Sequence, residues 1–162
     1  MALVLDATPS AATANTYALL VDAEAYALTL PVANDWAAAT PEAKNAALAQ
    51  ATRMLDTIQD WQGYRKTYAQ PLQWPRAWVV DRERWTVVPT TIPIKIQNAC
   101  CEFAIRLITD DRAADSGGLT PETVKIGSLD LGRLRRSPFP ASVLEMVCEF
   151  RQGGGQTRLV RS

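Results

Sequence analysis

The chain has 162 residues, 48% of them apolar and 21% charged, with 17 basic and 17 acidic side chains and no histidine. That is enough apolar matter for one real core, so a disordered chain is excluded and a single globular domain is expected. Without histidine the commonest general base, the usual metal ligand and every Ser-His or Cys-His pair are missing, which leaves only carboxylate, lysine or tyrosine chemistry.

No apolar run approaches bilayer length, and polar residues near the start interrupt any signal-peptide core, so a soluble chain without a membrane partner is expected. Three cysteines, two of them the adjacent Cys100 and Cys101, do not make a disulfide framework and read as reduced thiols. With no second pair and no histidine they cannot complete a zinc site. Asp110, Asp111 and Asp115 lack the glycine and ligand spacing of a calcium loop and read as a solvated helix end. No cofactor, metal or catalytic set is expected. The charge is unevenly spread: residues 133–162 hold six arginines against Glu145 and Glu149, so this segment is +4 and the rest is −4. A split of that kind suits head-to-tail protein contacts.

In chain order, residues 1–15 are small and polar without periodicity and read as a loose arm. A folded domain is expected over 16–152, and a flexible tail over 153–162. Tyr17 to Val21 alternates weakly, as a short strand would. Asp22-Ala-Glu-Ala-Tyr26 then reads as a helical turn with acids at its N-terminal end, and Pro31 and Asn34-Asp35 break the chain. Thr40-Pro41-Glu42 is a helix start, and Ala47, Ala51, Met54, Leu55 and Ile58 recur at helical spacing behind it. Gly63 is placed to end that helix in the left-handed conformation.

Residues 61–92 form a connection far longer than helix-helix loops usually are, and it carries Trp61, Trp74, Trp78 and Trp85, four of the five tryptophans. Within it, Gln70-Pro-Leu-Gln-Trp74-Pro-Arg76 has two prolines four apart, which push Gln70 and Trp74 out of helical geometry. An extended strap is expected to lie across two helices, anchored by Trp74, with Leu72 covered and Arg76 free to fork onto a carboxylate or stack on a ring. Trp78-Val-Val80 and Trp85-Thr-Val-Val88 can pair as a hairpin, although Asp81-Arg-Glu-Arg84 lacks the glycine or asparagine that a tight turn prefers.

Thr91-Ile-Pro93 opens a second helix whose apolar set, Ile96, Ala99, Cys100, Phe103, Ala104, Leu107 and Ile108, fits helical spacing without a miss and stops near Asp110-Asp111. Ser116-Gly-Gly118 is a link, and Val124 to Leu131 alternates with a change of parity that places a bulge at Gly127-Ser128. Ser137 to Pro140 starts a third, shorter helix with Val143, Leu144, Val147 and Cys148 as its buried side. The fold class is therefore mainly α: two long helices, a shorter C-terminal one, a minor β element and a long structured connection. Arg133, Arg135 and Arg136 are candidates for contact with phosphates, a channel or an interface, but they stand some distance along the chain from the tryptophans.

The ordered set Ala51-Thr52, Asp56, Trp61-Gln-Gly63, Arg65, Gln70-Pro-Leu72, Trp74-Pro-Arg76, Ile92-Pro93 and Ala99, followed by Val124-Lys-Ile-Gly127-Ser, resembles the head-tail connector (adaptor) proteins of tailed phages, a family also labelled DnaT-like single-stranded-DNA-binding. The resemblance covers roughly residues 15–148, and its specific part is Gln-x-Leu-x-Trp-Pro-Arg. It implies a structural virion protein without enzymatic activity, assembled in the host cytoplasm and placed in the neck. There it would form a dodecameric ring under the portal protein and extend the DNA channel toward a stopper or tail-completion protein, with genomic DNA passing through without sequence-specific contact. Trp61, Gly63, Gln70, Leu72, Trp74, Pro75 and Arg76 would brace the scaffold, and Arg158, Leu159, Val160 and Arg161 of the tail would reach the portal. The family's other label leaves single-stranded-DNA binding as the alternative.

Overall fold

The computed structural model describes residues 3–31, 33–109 and 139–152, and the backbone of 125–126 and 129–130. Asp110, Asp111, Asp115, Arg133, Arg135, Arg136 and the tail residues Arg158, Leu159, Val160 and Arg161 lie outside the described residues. The elements are α1 (Leu20–Ala27), α2 (Asn34–Ala38), α3 (Pro41–Asp56), β1 (Tyr64–Arg65), β2 (Arg76–Ala77), α4 (Ile94–Thr109), β3 (Lys125–Ile126), β4 (Leu129–Asp130) and α5 (Ala141–Val147), then a 3-10 turn, Cys148–Phe150. The architecture is mainly helical, with small two-stranded pairings. None of its helices, among the described residues, is long and apolar enough to cross a membrane.

The helix α3 starts where local chemistry dictates: the Thr40 hydroxyl accepts from the Ala43 N–H at 3.3 Å, with Pro41 in the first turn. Its buried residues, Leu48, Ala51, Thr52 and Leu55, face α4, the central helix, which packs against α1, α2, α3 and α5. That position explains why α4 buries more than one stripe. Cys101 and Glu102 are covered together with the periodic set, although neither belongs to it. Glu102 is neutralised by Arg106 at 2.7 Å and accepts from the Ser142 hydroxyl at 3.1 Å, which ties α5 to α4.

Several expectations are corrected. Residues 3–15 are not a bare arm: Asn15 Oδ1 accepts from the Asp6 N–H, Asp6 accepts from the Thr13 hydroxyl, and Ala14 is buried. Tyr17 and Ala18 form a buried bend in place of a strand, because the Tyr17 N–H is used by Thr52 Oγ1 at 3.2 Å and has no strand partner. The break at Asn34-Asp35 is a short helix that buries Trp36. β3 pairs with β4 antiparallel, Lys125 with Asp130 and Ile126 with Leu129, and the bulge expected at Gly127-Ser128 lies outside the described residues. Cys148 is exposed, since the 3-10 turn rotates it outward and puts Phe150 in the core.

Gly63 has the left-handed conformation expected (φ 62°), but for another reason. The helix α3 already ends at Asp56, and Gly63 instead lies against β2: a Cβ there would stand 1.9 Å from the Ala77 carbonyl oxygen. Replacing it by alanine adds the left-handed penalty of about 1–2 kcal/mol to the cost of prising β1 from β2. Gly63→Ala is expected to lose about 3 kcal/mol in urea denaturation.

Candidate functional site

The connection between α3 and α4 has a buried half and an exposed half. In the buried half, Trp74 is 1% exposed and sits edge-on to Trp61 (5.5 Å between ring centres) and to Phe150 (5.3 Å). Its bond to Pro75 is cis. Gln70, also buried, acts as a staple: its Oε1 accepts from the Thr67 N–H at 3.0 Å, and its Nε2 donates to the carbonyls of Leu72 and Pro75 at 2.9 and 3.0 Å. Leu72 and Pro75 are buried beside it. Arg76 neither forks onto a carboxylate nor stacks on a ring. Its guanidinium donates to the carbonyls of Gln62 (2.7 Å) and Gly63 (2.8 Å) and to Gln73 Oε1 (2.9 Å), satisfying a bend whose oxygens would otherwise be stranded.

The strap is tied to α3 by a chain of hydrogen bonds. The Trp74 N–H donates to the Tyr17 hydroxyl at 3.2 Å, the Tyr17 hydroxyl donates to Asp56, and the Gln73 N–H donates to the same carboxylate. Burial pushes the Asp56 carboxyl up to about 6, against the pull of Tyr17, Gln73, Arg65 and Arg76. Burial also raises Tyr17 well above the ordinary tyrosine range, so it stays the donor. Because the folded state holds the Asp56 proton more tightly than the unfolded chain does, the stabilising contribution is complete below the unfolded value and is lost as pH rises through about 6. Between about pH 4 and about pH 7 the wild type should lose about 2 kcal/mol relative to Asp56→Asn, read from paired urea curves.

Gln62 joins this half to the exposed one. Its Oε1 accepts from the Val80 N–H at 3.1 Å, its Nε2 donates to the Glu149 carbonyl at 2.7 Å, and its own N–H donates to the Phe150 carbonyl at 2.8 Å. Arg151 closes the same corner with a two-pronged bond to Asp60 (2.8 and 2.7 Å), which holds that carboxyl below the usual carboxylate range.

From that corner the expected hairpin projects. Val80 bridges Thr86, the Asp81 N–H donates to the Trp85 carbonyl at 3.0 Å, and the Val87 N–H donates to the Val79 carbonyl at 2.9 Å. The missing turn glycine is replaced by two devices. Arg84 takes the left-handed conformation (φ 70°), and the Asp81 carboxylate accepts from the N–H groups of Glu83 and Trp85 at 2.9 and 2.8 Å. Val79 is buried and fastens the ribbon to the core, while Trp78 is 78% exposed and Trp85 71% exposed. Trp78 also has φ 60°, a region that costs a bulky L-residue about 1–2 kcal/mol. Tyr64, Tyr68, Val80 and Val88 add further exposed apolar surface.

Charge accompanies this surface. Over residues 64–88 there are five bases (Arg65, Lys66, Arg76, Arg82, Arg84) and two acids (Asp81, Glu83), so the connection is basic, although its turn Asp81-Arg-Glu-Arg84 is balanced. Lys66, Arg82 and Arg84 are exposed, Arg76 is spent internally, and Asp81 is occupied by the turn. The sequence reading missed this site because it weighed the tryptophans against the later arginines. No local pattern gives the exposure of Trp78, since its φ of 60° takes it out of regular strand alternation.

The buried thiols offer no reactive centre: burial pushes Cys100 up to about 11 and raises Cys101 as well. Among the described residues no three Cys, Asp or Glu side chains are grouped to hold a metal. Among the described residues the connection thus exposes Trp78 and Trp85 on a hairpin whose turn carries the exposed guanidinium groups of Arg82 and Arg84.

A family model described as "Putative DnaT-like ssDNA binding protein" matches residues 1–161, and the chain belongs to that family. No curated protein and no solved structure matches it.

Proposed function

We propose that the protein binds single-stranded DNA through the ribbon of residues 78–88, with Trp78 and Trp85 as stacking platforms and Lys66, Arg82 and Arg84 as phosphate contacts. The observation that carries this reading is Trp78, a bulky side chain held both in a costly backbone region and in solvent, where no packing among the described residues offsets the cost. The family's description agrees with it. Bases stack on indoles irrespective of sequence, and a few cations tracking the backbone give a moderate, salt-sensitive affinity. The test is titration of a labelled oligothymidylate, with tryptophan fluorescence as a second readout. Submicromolar binding is expected at low salt, with three phosphate contacts giving a slope of log K on log salt of about −2. Absence of binding at micromolar protein and low salt would end the reading.

A second reading, the head-tail connector, is favoured by the Gln70-Pro-Leu-Gln-Trp-Pro-Arg76 element and by the apolar Val80 and Val88 beside the indoles, which suit a protein interface. On this reading the chain is a noncatalytic ring component of a virion neck, and Arg158, Leu159, Val160 and Arg161 reach the portal. Mixing with portal protein and measuring the mass of the complex decides it. Deleting residues 156–162 should abolish attachment and leave the monomer folded, and normal attachment would dismiss that role for the tail.

A further inference from the structure

The aromatic surface continues past the root of the ribbon. Tyr64 and Tyr68, 57% and 96% exposed, belong to the strand and the turn that precede the strap. The strand β1 lies antiparallel to β2 with Tyr64 opposite Ala77, and Gly63 lets the two backbones close: the Cβ it lacks would stand 3.0 Å from the Trp78 carbonyl carbon. Opposite residues of such a ladder are about 5 Å apart, and Trp78 is the next residue after Ala77. The Tyr64 and Trp78 backbones therefore lie within about 9 Å of each other.

Alternation sorts the two residues after Tyr64. Arg65 turns inward, its Nη1 donating to the Gln70 carbonyl at 3.0 Å. Lys66 is exposed, and its N–H carries the ladder on to the Pro75 carbonyl at 3.1 Å, so it shares the outward side with Tyr64. Tyr68 follows on a turn held from within. The buried Gln70 accepts from the Thr67 N–H at 3.0 Å and is itself anchored to the carbonyls of Leu72 and Pro75, which leaves the Tyr68 ring almost wholly in solvent. Turns select glycine, asparagine, aspartate, serine or proline for their backbone chemistry, and tyrosine supplies none of it. What it supplies on a braced turn is a flat face whose fixing costs only two side-chain torsions. Cations accompany the row: Lys66 stands between the tyrosines in sequence and Arg82 and Arg84 between the tryptophans and at the ribbon's turn, while Glu83 is the one exposed acid of residues 64–88.

We propose that Tyr64 and Tyr68, with Lys66 between them, form a second stacking subsite that takes the bases following those on Trp78 and Trp85. The ligand is then a single strand with at least about four unpaired nucleotides, one for each ring. A duplex keeps its base faces stacked on one another and offers this row only phosphate. The proposal rests on the strand-binding reading above and adds to it an extent, a minimum length and two residues.

Fluorescence anisotropy of labelled oligothymidylates of about two to twelve nucleotides at low salt tests the subsite. Wild-type affinity, counted per register, should climb with length until about four nucleotides are present. Tyr64→Ala with Tyr68→Ala should weaken the longer strands at least about tenfold and leave the shortest unchanged, so the length dependence flattens. Tyr64→Phe with Tyr68→Phe keeps both rings and should retain wild-type affinity. Both positions are exposed, so the unfolding midpoints of the two pairs should match that of the wild type. Unchanged affinity of the alanine pair for long strands, beside a loss in Trp85→Ala, would overturn the subsite and leave ribbon binding standing. An equal loss at every length would overturn it too, since that is the mark of a disturbed ribbon. Absence of binding by the wild type would end the ribbon reading and the subsite together.

Discussion

Trp74→Ala is expected to lower the stability of the protein by about 4 kcal/mol, the usual cost of removing a fully buried tryptophan, and to lower the melting midpoint by about 12 °C for a chain of this size. The indole fills the space between Trp61 and Phe150, so its loss leaves a cavity lined by two rings that cannot collapse without moving the C-terminal turn. The damage also spreads through the backbone. The Trp74 N–H reaches Tyr17, Tyr17 reaches Asp56, and Gln70 and Arg76 tie off the bends on either side. A loosened strap therefore releases β2 and with it the root of the ribbon. Trp74→Phe keeps one ring in the edge contacts and should recover about half of the loss. A loss below about 1 kcal/mol for the alanine variant would mean that the strap is a cover and not a brace.

The parts of this arrangement that were legible in the sequence are those fixed within a few residues. Thr40-Pro41 and the periodic set of α4 specify helices by local capping and spacing, and both helices are present with close to the expected bounds. The proline-flanked strap was legible for the same reason, since proline restricts its neighbour regardless of context. What escaped depends on partners far along the chain. Arg76 turns to the carbonyls of Gln62 and Gly63 because the strap folds back on them, and no local pattern encodes that meeting. Glu102 is buried because α5 brings Ser142 to it, forty residues later. The helix α2, five residues long, is too short for periodicity and is held by burying Trp36. The hairpin was readable from its alternation, but the turn solution was not: a glycine was sought at a position where Arg84 accepts the strain and Asp81 supplies the missing bonds. Exposure of Trp78 and Trp85 is likewise a tertiary fact, since an aromatic in a strand is more often covered.

Trp78→Gly combined with Trp85→Ala should separate adhesion from folding. Each indole that stacks on a base contributes about 1–3 kcal/mol, so the double variant is expected to bind oligothymidylate about 100-fold or more weakly at low salt. Its fold should be intact, because neither ring contributes to the core and exposed substitutions usually stay within about 0.5 kcal/mol. At position 78 the sign should reverse. Glycine adopts φ 60° freely, so Trp78→Gly relieves the left-handed cost, and part of that gain survives glycine's greater freedom in the unfolded chain. A variant about 0.5 kcal/mol more stable and far weaker in binding is what a strained functional residue predicts, since a side chain retained for packing alone would lose stability on removal. Unchanged oligonucleotide affinity in this variant would show that the indoles serve a partner other than single-stranded DNA.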